Sequence, residues 1–328
     1  MKTRSLPAFR SRRFLPVSPR TTVAKPARAK VRPRAGRPVV AVGVDFSAGS
    51  KVALDRAAAL SRATGSRLVA VHVVSGHTDL PALHVPGPWK TTLGPDVPRD
   101  GEAALAAAMW VAESRLREEI GKLEAQPMVS TGKPDLVLAA VAAARRAILL
   151  VIGVHSKKHR VRSLFLGTTA ERVLRRGAAP VLLARAKVVA PYERILIPVD
   201  VDALAPRVLE LVARLFPRAQ YQVVNFLPKG REGDGTVAQR RAEATQALET
   251  LCTEAGLEPS RLQVDVSPWD PQRGILQKAR AWHCDLIAMG THARRGARRM
   301  LHHSIAEHVS RAAEVDVLAV PPVRAPSA

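Results

Sequence analysis

Two short loops of this chain carry residue types that suit a ligand-binding site. The first follows an apolar run and contains Asp45, and the second runs from Gly153 through Ser156 to Gly167 and Thr168. A glycine-containing loop that leads into a helix exposes backbone N–H groups, and the helix dipole favours an anion at that point. The second loop therefore indicates binding of an anion.

No catalytic arrangement accompanies these loops. The sequence has no Walker lysine-hydroxyl motif, no nucleophile elbow and no evident acid–base pair of carboxylates. Its histidines and cysteines match no zinc-finger or HExxH spacing. We therefore predict neither catalytic residues nor metal ligands, and slow hydrolysis of a bound nucleotide would be incidental.

The elements that must position the loops occur twice along the chain. Short β-branched apolar runs alternate with longer amphipathic stretches rich in Ala, Leu and Arg, which is typical of βαβ units and a parallel sheet. Two copies that must satisfy one architecture constrain the fold strongly. The predicted strands lie near residues 39–44, 67–74, 127–131, 148–152 and 180–184, and again near 194–199, 219–226, 261–267, 285–289 and 316–320.

Helices are predicted between these strands, and small residues mark their ends. The first copy predicts helices near 49–64, 102–125, 134–146 and 168–176. Gly65 stands where a helix ends in a left-handed residue. The Thr168 hydroxyl stands where it could cap the last helix of the first copy.

This pattern resembles two consecutive members of the universal stress protein family. The family has an Asp after its first strand, often followed two residues later by Ser, which Asp45 and Ser47 match. It also has a loop after strand four of the form Gly, two residues, Gly, nine residues, Gly-Ser/Thr, followed by a helix that begins near Ala-Glu-x-Val. Ala170 and Glu171 match that helix start, and Ala306 repeats it.

The resemblance covers residues 38–328 and implies an α/β fold. We expect two doubly wound, five-stranded parallel sheets, Rossmann-like, each with strand order 3-2-1-4-5. The expected domains are residues 38–189 and 190–328. Their last strands, at 181–183 and 317–320, are expected to meet antiparallel and form an intramolecular pseudo-dimer.

The resemblance also implies an adenine nucleotide as ligand. With this strand order, a crevice opens between strands one and four, where ligands of open α/β sheets sit. The adenosine end would meet the Asp45 carboxylate and the backbone of Val73, and the glycine loop would hold the phosphates of ATP. The predicted cofactor-binding residues are Asp45, Val73, Gly153, Ser156, Gly167 and Thr168.

Both copies depart from the family pattern. In the first copy Ser156 replaces the middle glycine, and the spacing to Gly167 is one residue too long. In the second copy Ala293 and His303 replace two glycines, and Asp200 lacks the following Ser. Glycine allows positive φ and close backbone approach, so its loss weakens a phosphate loop. We therefore expect ATP in the first domain only, with the second domain as a structural partner; the alternative is a nucleotide-free interaction scaffold.

Two segments fall outside the repeat. Residues 1–37 hold twelve of the 51 lysines and arginines and none of the 28 acidic residues, and we expect this tail to be disordered. It could attract nucleic acid or an anionic membrane surface, but no aromatic residues interleave with its charges in a pattern that stacks bases, so a solvated extension is preferred. Residues 75–101 are rich in proline and glycine and are expected to form a lid or a disordered loop.

Composition indicates the compartment and the partners. The net charge is +23 and the chain has only two cysteines, Cys252 and Cys284, which provide no disulfide framework. No run is long and apolar enough to suggest a signal sequence or membrane insertion. We expect a cytoplasmic stress-response protein that acts on protein partners in signalling; further homodimerisation is left open.

Overall fold

The computed structural model describes residues 37–75, 101–154, 166–185, 191–200, 204–227, 236–268, 270–291 and 305–322. The strands are β1 (Val39–Gly43), β2 (Arg67–Val74), β3 (Ala125–Thr131), β4 (Ala147–Gly153), β5 (Val181–Ala184), β6 (Arg194–Pro198), β7 (Gln220–Phe226), β8 (Leu262–Ser267), β9 (Leu286–Gly290) and β10 (Asp316–Val320). The helices are α1 (Ala48–Thr64), α2 (Gly101–Ile120), α3 (Pro134–Ala144), α4 (Thr168–Arg176), α5 (Ala205–Leu215), α6 (Val237–Glu254), α7 (Pro271–Ala281) and α8 (Ile305–Ala312). Every strand predicted from the sequence is present.

Helix ends follow the local chemistry of single residues. Helix α1 begins after Ser47, whose side chain accepts a hydrogen bond from the backbone N–H of Ser50, and it ends at Gly65 with φ of 62°. Helix α2 ends earlier than predicted because Gly121 adopts φ of 53°, which stops the helix. The prediction that Thr168 caps α4 is wrong, since Gly167 occupies the N-cap position.

The strands form one ten-stranded sheet with order β3-β2-β1-β4-β5-β10-β9-β6-β7-β8. Each half has the order 3-2-1-4-5 and its strands run parallel, as predicted. Strands β5 and β10 pair antiparallel, with Leu318 opposite Leu182 and Val317 opposite Leu183. The two predicted five-stranded arrangements are therefore confirmed. The predicted meeting of their last strands joins them into one continuous sheet.

Helices cover both faces of this sheet. One face packs against α1, α2, α5 and α6 through a buried cluster that includes Leu54, Leu116, Leu209 and Leu248. The other face packs against α3, α4, α7 and α8. Strands covered on both faces read as continuous apolar runs, which explains segments such as residues 147–152. None of the helices described here is long and apolar enough to cross a membrane.

A buried polar network lies where the halves meet. Asp316, at the start of β10, has a fully buried side chain, and the Arg56 guanidinium of α1 lies 3.2 Å from its Oδ2 atom. The Tyr192 hydroxyl donates to the same oxygen at 2.5 Å, and the backbone N–H of Arg185 donates to Oδ1 at 2.7 Å. The Arg56 guanidinium also covers the Tyr192 ring at 4.4 Å.

Burial changes the acid–base properties of this network. It lowers the pKa of Arg185 to about 10, although the Asp316 carboxylate opposes that shift. Burial and the nearby Asp316 charge together raise the pKa of Tyr192 well above its usual value. The tyrosine therefore stays protonated and donates its hydrogen bond over the whole physiological pH range.

The buried position of Asp316 leads to a stability prediction. Asp316→Ala removes the carboxylate that pairs with the Arg56 guanidinium, whose side chain is 4 % exposed, and breaking a buried pair costs about 3–5 kcal/mol. Urea unfolding of the full chain, followed by circular dichroism, should show this loss. Glu314→Gln is the control, because its pair with Arg280 is 72 % and 64 % exposed and should contribute less than about 1 kcal/mol. Equal losses in both variants would contradict the assignment.

The two cysteines are buried and free. Burial raises the pKa of Cys252 and of Cys284 from 9.0 to about 12. Thiols of this kind are poor nucleophiles, because the reactive form is the thiolate.

These thiols should make the unfolding free energy depend on pH. Above pH 9 the unfolded chain releases the thiol protons, whereas the folded chain keeps them up to about pH 12. The folded state then binds more protons, so raising the pH through this window favours unfolding. Urea titrations at several pH values should show a steeper decline for the natural chain than for the Cys252→Ala/Cys284→Ala variant. Identical slopes would mean that both thiols ionise equally in the two states.

Candidate functional site

The predicted site residues that the structure describes lie at the carboxyl edge of the first half of the sheet. Strand β1 pairs with β2 on one side and with β4 on the other. The loops that leave these strands therefore bring Asp45, Val73 and Gly153 to one edge. Helix α4, which follows β4, begins at Thr168. Ser156 lies outside the described residues, as do the basic residues of the same loop.

The loop after β1 is held by short-range hydrogen bonds. The backbone N–H of Ser47 donates to Oδ1 of Asp45 at 3.0 Å, and the Ser50 hydroxyl donates to the Ser47 carbonyl at 3.0 Å. Phe46 between them adopts φ of 61°, a conformation that is strained for a residue with a side chain. Asp45 is exposed, so its carboxylate is fixed in place and open to solvent.

Gly153 is required by packing against the start of α1. A Cβ atom at this position would overlap the Gly49 carbonyl group and would lie 2.7 Å from the backbone nitrogen of Ser50. A Cβ at Gly49 would in turn lie 3.4 Å from the carbonyl oxygen of Val154. Backbone therefore meets backbone between the end of β4 and the first turn of α1, and this contact alone explains a glycine at position 153.

Gly167 has a different environment. Its φ is 89°, and a Cβ atom placed there would meet nothing within 4 Å. Among the described residues, no side chain caps the α4 helix that begins after it. In α1, by contrast, Ser47 already occupies the N–H of Ser50. Of the two helices that follow β1 and β4, the strands on either side of the crevice, α4 is therefore the one with an uncapped first turn among the described residues, and its N–H groups can meet an anion.

Three side chains form a cluster beside Asp45. The rings of Phe46 and His72 lie 4.4 Å apart, and the Arg115 guanidinium of α2 lies 4.3 Å from the centre of the Phe46 ring. His72 is fixed by a hydrogen bond of 2.8 Å between Nδ1 and the carbonyl oxygen of Val44. A cation over an aromatic face is attracted to it, so this cluster brings a positive charge close to the crevice.

The second half repeats the strand geometry. Asn225 takes the place of His72, and its side-chain amide donates to the carbonyl oxygen of Val199 at 3.0 Å. Phe226 takes the place of Val73 and packs onto Gly274 of α7, with ring atom Cζ 3.1 Å from where a Cβ would lie. Glycine at position 274 thus leaves room for the Phe226 ring, which is larger than the Val73 side chain of the first half.

The start of α5 differs from that of α1. Helix α5 begins five residues after Asp200, and its N-cap residue is Leu204, which provides no side-chain cap. A Cβ atom at Gly290, the equivalent of Gly153, would lie 3.3 Å from Cδ1 of Leu204. An apolar side chain therefore contacts the strand end where the first half has backbone alone.

Sequence reasoning did not identify His72, Arg115 or Leu204. His72 could have been noticed, because it interrupts the apolar run of β2 with a polar side chain. Arg115 gave no such signal, since its contact with Phe46 depends on how α2 packs. Leu204 depends on the later start of α5, which propensity does not reveal.

The comparisons with known proteins agree on one family. The model of the universal stress protein family matches residues 37–185 and again residues 191–321. Among solved structures, a universal stress protein from Archaeoglobus fulgidus superposes with a TM-score of 0.62 at 18% identity, covering 86% of this chain and 98% of that one. A putative universal stress protein from Pseudomonas aeruginosa gives 0.56 at 21% identity, with coverages of 88% and 94%. At these identities the likeness concerns the fold alone, and no curated protein matches the chain.

The two equivalent glycines should respond differently to a methyl group. Gly153→Ala forces backbone atoms apart, so we expect a loss of about 1–3 kcal/mol or more in unfolding free energy. Gly290→Ala meets a movable Leu204 side chain at 3.3 Å and should stay within about 1 kcal/mol of the natural chain. Urea unfolding measures both variants. A Gly153→Ala chain as stable as Gly290→Ala would show that the backbone contact is not tight.

Proposed function

The chain belongs to the universal stress protein family, and on that premise we propose that its first half binds an adenine nucleotide and uses it as a regulatory signal in a stress response. The activity is binding rather than catalysis, in a cytoplasmic protein. We propose residues 38–189 as the nucleotide-binding domain and residues 190–328 as its pairing domain.

The observation that carries this proposal is the start of α4. Gly167 has a positive φ and open space on the side where a Cβ would project, and no side chain in the described part of the chain caps the helix. Backbone N–H groups at such a position form good hydrogen bonds with phosphate oxygens, and the helix dipole adds to the attraction. Thr168 is exposed at the same point, where its hydroxyl can join the phosphate contacts.

The other end of the nucleotide is assigned to the loops after β1 and β2. The Asp45 carboxylate, held by the Ser47 N–H, is exposed at this edge and can accept hydrogen bonds from ribose hydroxyls. Val73 lies on the neighbouring strand, where its backbone can meet the base. The nucleotide would then lie along the edge, with its base near β2 and its phosphates at the start of α4.

The second half is proposed to bind no nucleotide. Its loop after β9 has lost glycines, and Leu204 contacts the end of β9 at Gly290. Helix α5 also lacks the serine cap that orders the equivalent loop in the first half. The second half instead contributes β10, which completes the sheet, and the buried Asp316.

The second candidate function is an interaction scaffold without nucleotide. One observation favours it: the close contact between Gly153 and Gly49 accounts for a glycine at position 153 without any ligand. In this alternative Gly167 serves only the turn at its φ of 89°, and the fold is retained for binding protein partners alone. The two functions differ in whether ATP stabilises the folded chain.

Calorimetric titration of ATP into the full chain tests the proposal. We expect one site per chain, and Asp45→Ala should weaken binding by at least about tenfold because hydrogen bonds to a charged group are lost. Gly167→Val should abolish binding, since a β-branched residue resists a φ of 89°. Bound ATP should also raise the unfolding temperature.

Asp200→Ala is the matched control, because this aspartate holds the equivalent position in the second half. It should leave the ATP affinity unchanged. Loss of binding in Asp200→Ala but not in Asp45→Ala would reverse the assignment of the halves. Absence of heat and of thermal stabilisation at millimolar ATP would favour the scaffold.

A further inference from the structure

A groove lies at the opposite edge of the sheet, at the amino ends of the strands in the second half. It has a volume of about 320 Å³ and its lining includes Arg194, Gln220, Arg261, Gln263, Trp282 and His283. We call it the amino-edge groove. Because parallel strands point away from this edge, the groove is separate from the proposed nucleotide site.

The groove carries an unbalanced positive charge. Of the residues that line it, none has a carboxylate, whereas two have guanidinium groups. Within the part of the chain that the structure describes, neither Arg194 nor Arg261 forms an ion pair. The Asp285 carboxylate, two residues beyond His283, accepts hydrogen bonds from the backbone N–H groups of Glu193 and Arg194.

The two guanidinium groups are positioned by backbone carbonyls. Nη1 of Arg194 donates to the carbonyl oxygen of Trp282 at 3.4 Å, and Nη1 of Arg261 donates to that of Arg218 at 2.9 Å. A guanidinium has five N–H donors, so each keeps several for a ligand. Planar guanidinium groups held in this way bind phosphate through paired hydrogen bonds.

This pair of arginines is particular to the second half, although the first half has Arg67 where the second half has Gln220. Arg194 of β6 holds the position of Val39 of β1, because each is the first paired residue of its strand: Arg194 pairs with Gln220 of β7, and Val39 pairs with Arg67 of β2. The registers of β8 and β3 likewise align Arg261 with Glu124. The first half therefore has an apolar and an acidic residue where the second half has two arginines.

The geometry points to a phosphate ester that carries a flat ring, of mononucleotide size, as the ligand of the amino-edge groove. The guanidinium groups of Arg194 and Arg261 bind the phosphate, and the Trp282 indole contacts the ring. The amides of Gln220 and Gln263 provide donors and acceptors for the sugar and ring edges. A volume of about 320 Å³ is at the lower end of small-ligand pockets, roughly 300–1,000 Å³, and suits one nucleotide rather than a polymer.

Uridine monophosphate and inorganic phosphate are suitable probes for the full chain. We expect calorimetry to detect binding of uridine monophosphate that is tighter than the binding of phosphate. Arg194→Gln and Arg261→Gln should each weaken the binding of uridine monophosphate by about tenfold or more. Arg214→Gln, an exposed arginine of the same half outside the groove, is the control and should bind normally. The Arg194→Gln and Arg261→Gln substitutions should leave the calorimetric titration with ATP unchanged, which separates this result from the fate of the proposed ATP site.

Tryptophan fluorescence provides the second readout. The chain has four tryptophans, and quenching by uridine monophosphate should disappear in Trp282→Phe. Unchanged affinity in both arginine variants would overturn the proposal. It would also be overturned if phosphate alone bound as tightly as the nucleotide with no effect of Trp282→Phe. Binding confined to a single-stranded oligonucleotide would replace the small ligand with a nucleic-acid surface.

Discussion

The burial of one carboxylate, that of Asp316, constrains the junction of the two halves. A buried charge is costly unless it is paired and hydrogen-bonded, and here Arg56, Tyr192 and the N–H of Arg185 all converge on it. These partners come from α1, from the connection between the halves and from the end of β5. The junction is therefore correct only when several distant segments are in place together, and the β5–β10 pairing forms beside it.

The junction also connects with the candidate site through α1. The first turn of this helix carries Gly49, which touches Gly153, and a later turn carries Arg56, which meets Asp316. One rigid helix thus spans from the carboxyl edge of the first half to the second half. At the outer surface, Arg311 of α8 forms ion pairs with Glu171 of α4 and with Glu307 of its own helix, a second link between the halves.

The fold could be predicted from the sequence, because its signals are local and repeated. Apolar runs placed each strand, and the resemblance to the universal stress protein family implied the order and the antiparallel meeting at residues 181–183 and 317–320. The site was less accessible. Gly153 was predicted as a phosphate-loop residue, yet the structure gives it a packing role that depends on Gly49, about a hundred residues earlier. The roles of Asp45, Val73, Gly167 and Thr168 in binding stay predictions, and Ser156 lies outside the described residues.

The antiparallel contact between β5 and β10 has a consequence for symmetry. A pair of identical subunits must place the same residue on both sides of its axis, and dilution can separate it. The register centres on Leu182 and Leu318, so the residue of the first half that is equivalent to Asp316 is Pro180. The Arg56–Asp316 pair therefore exists once per molecule. A covalent link keeps the partner at a fixed local concentration. Each half is then free to specialise, because a substitution in one is not imposed on the other.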